Sequence, residues 1–136
     1  MTPEDLAVLH ERAFEGQGRS WTASEFSELL QNRAVALIGD NRAFALGRLV
    51  ADEAELLTLA CDPICRRQGL ARDRLDALLR EVKAKGALRI FLEVASDNLA
   101  AISLYQKAEF VQIGRRKEYH DTPNGRVDAI VMEKRL

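Results

Sequence analysis

The chain has 136 residues, 47% of them hydrophobic and 30% charged, a balance typical of one globular domain, which we expect to span residues 1–136. Its 20 Lys and Arg against 21 Asp and Glu leave a net charge of −1, which argues against a protein that neutralises a nucleic-acid backbone. No apolar run approaches the ~20 residues that cross a bilayer, and the N-terminus lacks the features of a secretion signal. We therefore expect a cytoplasmic protein with no nucleic-acid or membrane partner.

The sequence offers no complete set of metal ligands. Cys61 and Cys65 have no second cysteine pair, and the two histidines, His10 and His120, are scattered along the chain. Zinc sites and disulfide frameworks both need more partners than this. We expect two reduced thiols and no metal.

Two helix starts come before a run of short strands. Hydroxyl N-caps begin both helices, at Thr2 and Thr22. Trp21, which precedes the second cap, is placed to pack on Phe26 as a hydrophobic staple. Short apolar runs separated by turn residues then predict three antiparallel strands, at residues 34–38, 42–50 and 54–61.

Strands and helices alternate in the second half of the chain. After Pro63 the apolar spacing predicts a helix that closes at Gly86. Asp97 or Asn98 then begins a short helix. Strands are expected at residues 88–94, 110–114 and 127–132, with a polar loop over residues 115–126 between the last two.

This order of elements predicts an α/β (α+β) fold. We expect a mixed, mostly antiparallel twisted sheet with helices on both faces. The central strand–helix–strand unit should be a right-handed crossover that makes one parallel strand pair.

The segment with the most chemical information lies between the third strand and the third helix. It reads Arg-Arg-Gln-Gly-Leu-Ala over residues 66–71. A helix start has free N–H groups and a partial positive charge, and Gly69 lets the backbone approach an anion. The segment favours a phosphate or pyrophosphate site, with a plain surface loop as the alternative. It is neither a Walker loop nor a dinucleotide fingerprint.

Residues 67–71, which follow residues 59–63 and precede Asn98 and Tyr105, are similar to the acetyl-CoA signature of the GNAT N-acetyltransferase family. The resemblance extends from Ala34 to the end of the chain. Residues 55–62, 91–94, 98–105 and 125–132 resemble the RimI subgroup. RimI proteins acetylate the N-terminal alanine of the eighteenth protein of the small ribosomal subunit. The resemblance therefore implies an N-terminal acetyltransferase with acetyl-CoA as co-substrate and the N-terminal peptide of a ribosomal protein as partner. It also implies a V-shaped opening between the two parallel strands.

The resemblance implies roles for single residues. Glu93 falls on the family's catalytic base and Tyr105 on its general acid, and Asn98 would bond the cofactor near its thiol end. Further cofactor contacts, besides Tyr105 itself, would come from Leu59, Ala60, Cys61, Arg66, Arg67, Gln68, Gly69, Leu70, Ala71 and Arg72. The acceptor groove would be lined by Trp21, Glu118, Tyr119 and His120.

The residues themselves leave several alternatives open. Glu93 lies on the polar face of an alternating strand and could be an ordinary solvated acid. Tyr105 lies on an apolar helix stripe and could be a packing residue whose hydroxyl bonds the backbone. Cys61 would lie close to the thioester, so a ping-pong path through an acetyl-cysteine is formally possible. Glu109 stands where a glycine usually precedes Phe110, which predicts a strained or different turn.

The sequence leaves two alternative functions open. One is an acetyltransferase of the same family that acts on a small amine or another protein amine. The other is a binding module that holds acetyl-CoA without catalysis. Glu93 and Tyr105 argue against the second, because a binding module has no need of an acid and a base.

Overall fold

The computed structural model describes residues 1–17 and 19–136. The helices are α1 (Pro3–Ala13), α2 (Ala23–Leu30), α3 (Leu70–Ala84) and α4 (Leu99–Lys107), with a short 3-10 helix at Pro63–Cys65. The strands are β1 (Val35–Asp40), β2 (Ala43–Val50), β3 (Glu53–Cys61), β4 (Arg89–Ala95), β5 (Val111–Thr122) and β6 (Gly125–Arg135). The predicted order of helices and strands is confirmed.

The first two helices begin as their sequences predict. The Thr2 hydroxyl accepts a hydrogen bond from the Asp5 N–H at 3.1 Å, and Thr22 begins α2 with a complete capping box. The rings of Trp21 and Phe26 lie 5.5 Å apart between centroids, which is the predicted staple. These local contacts fix where the chain enters each helix.

The strands form one sheet in the order β1-β2-β3-β4-β6-β5. β3 and β4 are parallel and are joined by the α3 crossover, whereas the other neighbouring strands are antiparallel. The predicted fold class, α/β with a mixed and mostly antiparallel sheet, is confirmed. A parallel pair requires a long crossover, because a tight turn can join only antiparallel neighbours.

Each face of the sheet carries its own hydrophobic core. In β2, Phe44 and Leu46 belong to one core and Ala45, between them, to the other. Successive side chains of a strand point to opposite faces, so the two cores lie on opposite sides. We call them the first core, built with Leu75, Leu78, Val82, Ile90 and Leu92, and the second core, built with Leu6, Leu9 and Phe26.

The predicted polar loop over residues 115–126 is wrong. Strands β5 and β6 continue through it and are joined by a tight turn, which the Thr122 hydroxyl closes by donating to the Gly125 carbonyl at 2.6 Å. Polar composition is typical of a loop but does not exclude a strand. Here β5 is largely exposed and β6 is exposed at its two ends, so their pairing in this region rests on backbone hydrogen bonds rather than on apolar alternation.

The predicted start of the fourth strand is also wrong by one residue. The expected strand begins at Leu88, but Leu88 precedes β4 and is 64% exposed. Its N–H donates to the Asp52 carbonyl at 2.7 Å, so it is tied to the turn before β3. The buried face of β4 consists of Ile90, Leu92 and Val94.

Candidate functional site

The two parallel strands pair over only part of their length. The register of β3 against β4 runs from Glu53–Arg89 to Glu55–Phe91 and stops there. From residue 57 onward, the backbone groups of β3 on that side are not taken by β4. The sheet therefore opens at this point, as the family resemblance implies.

A bulge in β3 changes which way its side chains point beyond the opening. Against β2, Thr58 pairs with Leu46 but Leu56 pairs with Gly47, so Leu57 is an extra residue. An extra residue reverses the alternation of a strand. Leu56 accordingly belongs to the first core, whereas Ala60 belongs to the second.

A cavity of about 420 Å³ lies between the end of β3 and the start of α3. Its walls combine apolar side chains with three guanidinium groups. The residues predicted for cofactor binding that line it are Leu59, Cys61, Arg66, Arg67, Gly69, Leu70, Ala71, Arg72, Asn98 and Tyr105. Side chains from distant parts of the sequence thus meet in one space.

The start of α3 is open toward this cavity. Gly69 is the N-cap residue, with φ +74°, and no side chain in the described part of the chain caps the helix. Arg67 is also left-handed, with φ +65°. The first N–H groups of α3 therefore lack a side-chain acceptor, and they lie beside Arg66, Arg67 and Arg72. Such a helix start attracts an anion.

Two predicted cofactor residues are placed differently from the rest. Ala60 is 1% exposed and its methyl group packs in the second core. Gln68 is exposed and is not among the residues that line the cavity. Neither residue lines this cavity.

A second cavity, of about 450 Å³, adjoins the first. Trp21, Tyr119 and His120, predicted to form the acceptor groove, line it together with Glu93. Glu118 does not: it lies in an irregular part of β5 with φ +48°, and its N–H donates to an Asp128 carboxylate oxygen at 2.8 Å. The residues that line both cavities include Leu59, Asn98, Ala101 and Tyr105.

Glu93 projects from β4 into the second cavity. Its Oε1 lies 3.1 Å from Nη2 of Arg116, and its side chain is 22% exposed. The same guanidinium lies over the Tyr119 ring, 5.1 Å from its centroid. Glu93 is therefore a half-buried, ion-paired carboxylate rather than a solvated acid on an open sheet face.

Tyr105 lies where the two cavities meet. Its side chain is 7% exposed, and its ring is 5.8 Å from that of Phe110. Burial raises the pKa of its phenol well above the ordinary value. The hydroxyl therefore keeps its proton at neutral pH and can act as a donor.

The side-chain oxygen of Asn98 is used within the fold, whereas its nitrogen is available to a ligand. Its Oδ1 accepts the N–H of Ala101 at 3.2 Å and caps α4. The Nδ2 group is left as a donor on a residue that lines both cavities. Structural and ligand-binding roles are compatible in this side chain, because they use different atoms.

His120 presents a polar atom without a protein partner. Its Nε2 is buried, and no hydrogen-bond partner is found for it among the described residues. Buried polar atoms are normally hydrogen-bonded, so an unpaired one in a cavity wall indicates a position for a ligand group.

Among the residues that line or brace these cavities, sequence reasoning missed several with polar side chains. Gln17 lines both, His10 lines the second, and Arg116 is the ion-pair partner of Glu93. None belongs to a recognisable motif. His10 alone carried a signal, because it falls beside Leu6 and Leu9 on the apolar stripe of α1.

Two further observations concern metals and membranes. In the described part of the chain there is no group of three or more His, Cys, Asp or Glu that could hold a metal ion. None of the helices described above is long and apolar enough to cross a membrane.

The family of the chain follows from its sequence and agrees with this geometry. The profile of the acetyltransferase (GNAT) family matches residues 5–110. The chain therefore belongs to the acetyltransferase (GNAT) family, and it is an acetyl-CoA-dependent N-acetyltransferase.

Its relatives support the predicted resemblance to the RimI subgroup. The ribosomal protein bS18-alanine N-acetyltransferase of Escherichia coli (strain K12) is 40% identical over 110 residues, 81% of this chain and 74% of that protein. The protein of the same name from Salmonella typhimurium (strain LT2) is 41% identical over 98 residues, 71% of this chain and 66% of that one. A crystal structure of the Escherichia coli ribosomal-protein-S18-alanine N-acetyltransferase matches with a TM-score of 0.89 at 32% identity, covering 98% of this chain and 87% of that chain.

Proposed function

We propose that this protein acetylates the α-amino group of an N-terminal alanine, with a small-subunit ribosomal protein as its acceptor and the cytoplasm as its place of action. The observation that carries the proposal is the pair of cavities that meet at Leu59, Asn98 and Tyr105, with Glu93 in the second. Relatives at about 40% identity bear the name of this activity.

The first cavity suits a donor with a diphosphate and an extended arm. Arg66, Arg67 and Arg72 supply positive charge beside the uncapped start of α3, and Leu59 and Leu104 supply apolar wall. Acetyl-CoA, when bound, supplies the acetyl group already activated as a thioester. The free side of β3 near residue 59 suits an arm that carries amide groups, because those groups can pair with strand backbone.

Glu93 is the proposed base. An N-terminal amine has an ordinary pKa of about 7.7–8.0 and is partly protonated at neutral pH. A carboxylate that accepts this proton, directly or through a water molecule, raises the fraction of amine that can attack. The ion pair with Arg116 holds the carboxylate at the cavity wall before an acceptor arrives.

Tyr105 is the proposed acid. Its hydroxyl remains protonated because burial raises the pKa of the phenol, and it lies on the wall that both cavities share. It can therefore donate a proton to the departing sulfur. A thiolate is a tolerable leaving group with a pKa near 8.5, so this donation assists the reaction without being indispensable.

Direct transfer between two bound substrates is favoured over a path through Cys61. Burial is the main cause that raises the pKa of the Cys61 thiol, with Cys65 adding to the effect. A raised pKa lowers the fraction of thiolate, which is the nucleophilic form. Orientation of two reactants can by itself contribute several kcal/mol, about 7–11 in the best cases, so a covalent intermediate is not needed.

The proposal is tested with a panel of acceptors and one matched pair of variants. Peptides that begin with alanine should be acetylated faster than peptides with other N-termini, polyamines or aminoglycosides. E93Q should lower kcat roughly 10²–10⁴-fold, the usual contribution of a general base, while calorimetry shows unchanged binding of acetyl-CoA. E11Q, at an exposed position of α1, is the control and should behave as the wild type.

Three results would count against the proposal. Faster turnover of small amines than of alanine peptides would indicate that the enzyme acetylates small molecules instead. Binding of acetyl-CoA without turnover of any acceptor would indicate a binding module. An acetylated enzyme that accumulates in the absence of acceptor would replace direct transfer by the path through Cys61.

A further inference from the structure

His10 is a buried histidine that the proposed reaction does not use. It lies in α1 and is 2% exposed. Its ring stacks on Phe14, with centroids 4.2 Å apart, and on Trp21, with centroids 5.3 Å apart. An imidazole in such surroundings needs a hydrogen-bond partner for each nitrogen, since an unpaired buried polar atom is costly.

Both nitrogens of His10 are satisfied, and the partners fix the tautomer. Nδ1 accepts the backbone N–H of Trp21 at 3.2 Å, so Nδ1 carries no proton. Nε2 therefore carries the ring proton and donates it to the Thr58 hydroxyl at 3.1 Å. Burial lowers the pKa of His10 to about 4, which keeps the ring in the neutral form that this arrangement requires.

The two partners lie on different walls of the second cavity. Trp21 stands between α1 and α2, outside both helices, and Thr58 stands in β3, just after the bulge and just before Leu59. Thr58 faces α1 because the bulge reverses the alternation of the strand. One ring thus joins the proposed acceptor wall to the strand that runs beside the proposed donor.

We propose that His10 is a positioning residue for the acceptor substrate. Its hydrogen bond to the N–H of Trp21 holds the tryptophan wall at a fixed distance from β3, and its bond to Thr58 supplies the anchor. His10 fixes the width of the groove in which the amine approaches Glu93. This inference rests on the proposed function, because it assigns the second cavity to the acceptor.

A residue that only filled the core would act differently. Loss of packing lowers the stability of the whole chain and affects both substrates alike. Loss of a positioning contact affects the substrate that it positions. A rise in KM for the peptide without a rise in KM for acetyl-CoA therefore indicates a positioning role, whereas a role in packing alone does not separate the two constants.

Three variants separate ring packing from the two hydrogen bonds. H10F keeps a ring between Phe14 and Trp21 but has neither hydrogen bond. H10N keeps an acceptor, Oδ1, near the position of Nδ1, and T58V removes only the anchor on β3. V8A, at a position of α1 that is 60% exposed, is the control.

The kinetic outcome is measured with the best acceptor peptide and acetyl-CoA. H10F should raise KM for the peptide roughly tenfold, the equivalent of about one hydrogen bond, and leave KM for acetyl-CoA within about twofold. H10N should recover a large part of this loss, T58V should show an intermediate effect, and V8A should match the wild type.

A spectroscopic outcome needs no substrate. Trp21 is the single tryptophan of the chain, so its emission reports on this wall alone. Acrylamide should quench the emission more strongly in H10F than in H10N or the wild type, since the indole is no longer held. If H10F does not fold, H10N and T58V decide the question by the same two measurements.

The proposal is overturned if H10F matches the wild type in peptide KM and in quenching, or if both Michaelis constants rise together. Absence of turnover of any alanine peptide by the wild type is a different failure. It would refute the proposed function, and the quenching series would still show whether His10 holds Trp21.

Discussion

Tyr105 shows how one side chain serves packing and chemistry at once. Its ring packs against Phe110 in the first core. The same residue lines both cavities. The core fixes the ring, so the direction of the hydroxyl is determined before any substrate binds. A proton donor that is held in this way loses little entropy when the reaction begins.

Y105F tests the proposed proton transfer. The variant keeps the ring and its contact with Phe110 and loses the hydroxyl alone. We expect kcat to fall about tenfold, less than for loss of a base, because a thiolate leaves without much assistance. Binding of acetyl-CoA and the unfolding temperature should change little. Equal turnover in steady-state assays of the two proteins would remove the acid role.

The sequence predicts some residues of the site better than others. Glu93, Tyr105 and Asn98 stand in segments with family spacing, and the structure brings them to the walls of the two cavities. Arg116 and His10 stand in no motif. Their partners are distant in sequence, 23 residues for Arg116–Glu93 and 48 for His10–Thr58, so only the folded chain shows the contact.

The end of α4 is the clearest case of strain in a single element. Phe110 N–H donates to the Tyr105 carbonyl and Glu109 N–H to the Gln106 carbonyl, both at 2.9 Å. This is a Schellman ending, which favours glycine in the left-handed position. Glu109 occupies that position with φ +72°. The strain predicted from the sequence is therefore present.

E109G should stabilise the protein. Relief of the left-handed strain, which costs a residue with a Cβ roughly 1–2 kcal/mol, is partly offset by the greater freedom of glycine in the unfolded chain. We expect a net gain of about 0.5–1 kcal/mol in urea unfolding. E109A, which keeps the Cβ, is the control for loss of the carboxylate. Equal gains in the two variants would contradict the role of φ.

The sequence predicts the elements that have an apolar periodicity. It does not predict the elements that lack one. α3 and β4 each have one buried face, so their spacing is visible in the sequence. The β5–β6 hairpin and the bulge at Leu57 leave no such pattern. Backbone pairing determines both, and side-chain type reports on it only weakly.

The buried His10 links the stability of the whole molecule to pH. Burial lowers its pKa from 6.5 to about 4, with the nearby Arg19 acting in the same direction and Glu25 opposing them. Between these two values the unfolded chain binds a proton that the folded chain does not. The contribution of neutral His10 to the free energy of unfolding is therefore fully present above pH 6.5, and it is lost as the pH falls from 6.5 toward 4.

This effect is measured as the difference between the wild type and H10F. The free energy of unfolding of the wild type should fall by up to about 1.4 kcal/mol per pH unit more than that of H10F in this window. Carboxylates act at lower pH: the Arg19 guanidinium lowers the pKa of Glu25 to about 2, so its contribution is lost only below 4.5. Parallel pH profiles for the two proteins would contradict the prediction.

The separation of β3 and β4 also affects the folded state as a whole. Beyond Glu55 and Phe91, β3 and β4 no longer pair with each other, so within residues 1–17 and 19–136 the sheet lacks hydrogen bonds there that it has elsewhere. An extended substrate arm that lies in the gap would act as a missing strand. Since only the native chain offers this gap, occupancy raises the free energy of unfolding by mass action. The resistance of the protein to heat and proteolysis would then increase with the concentration of the acetyl donor.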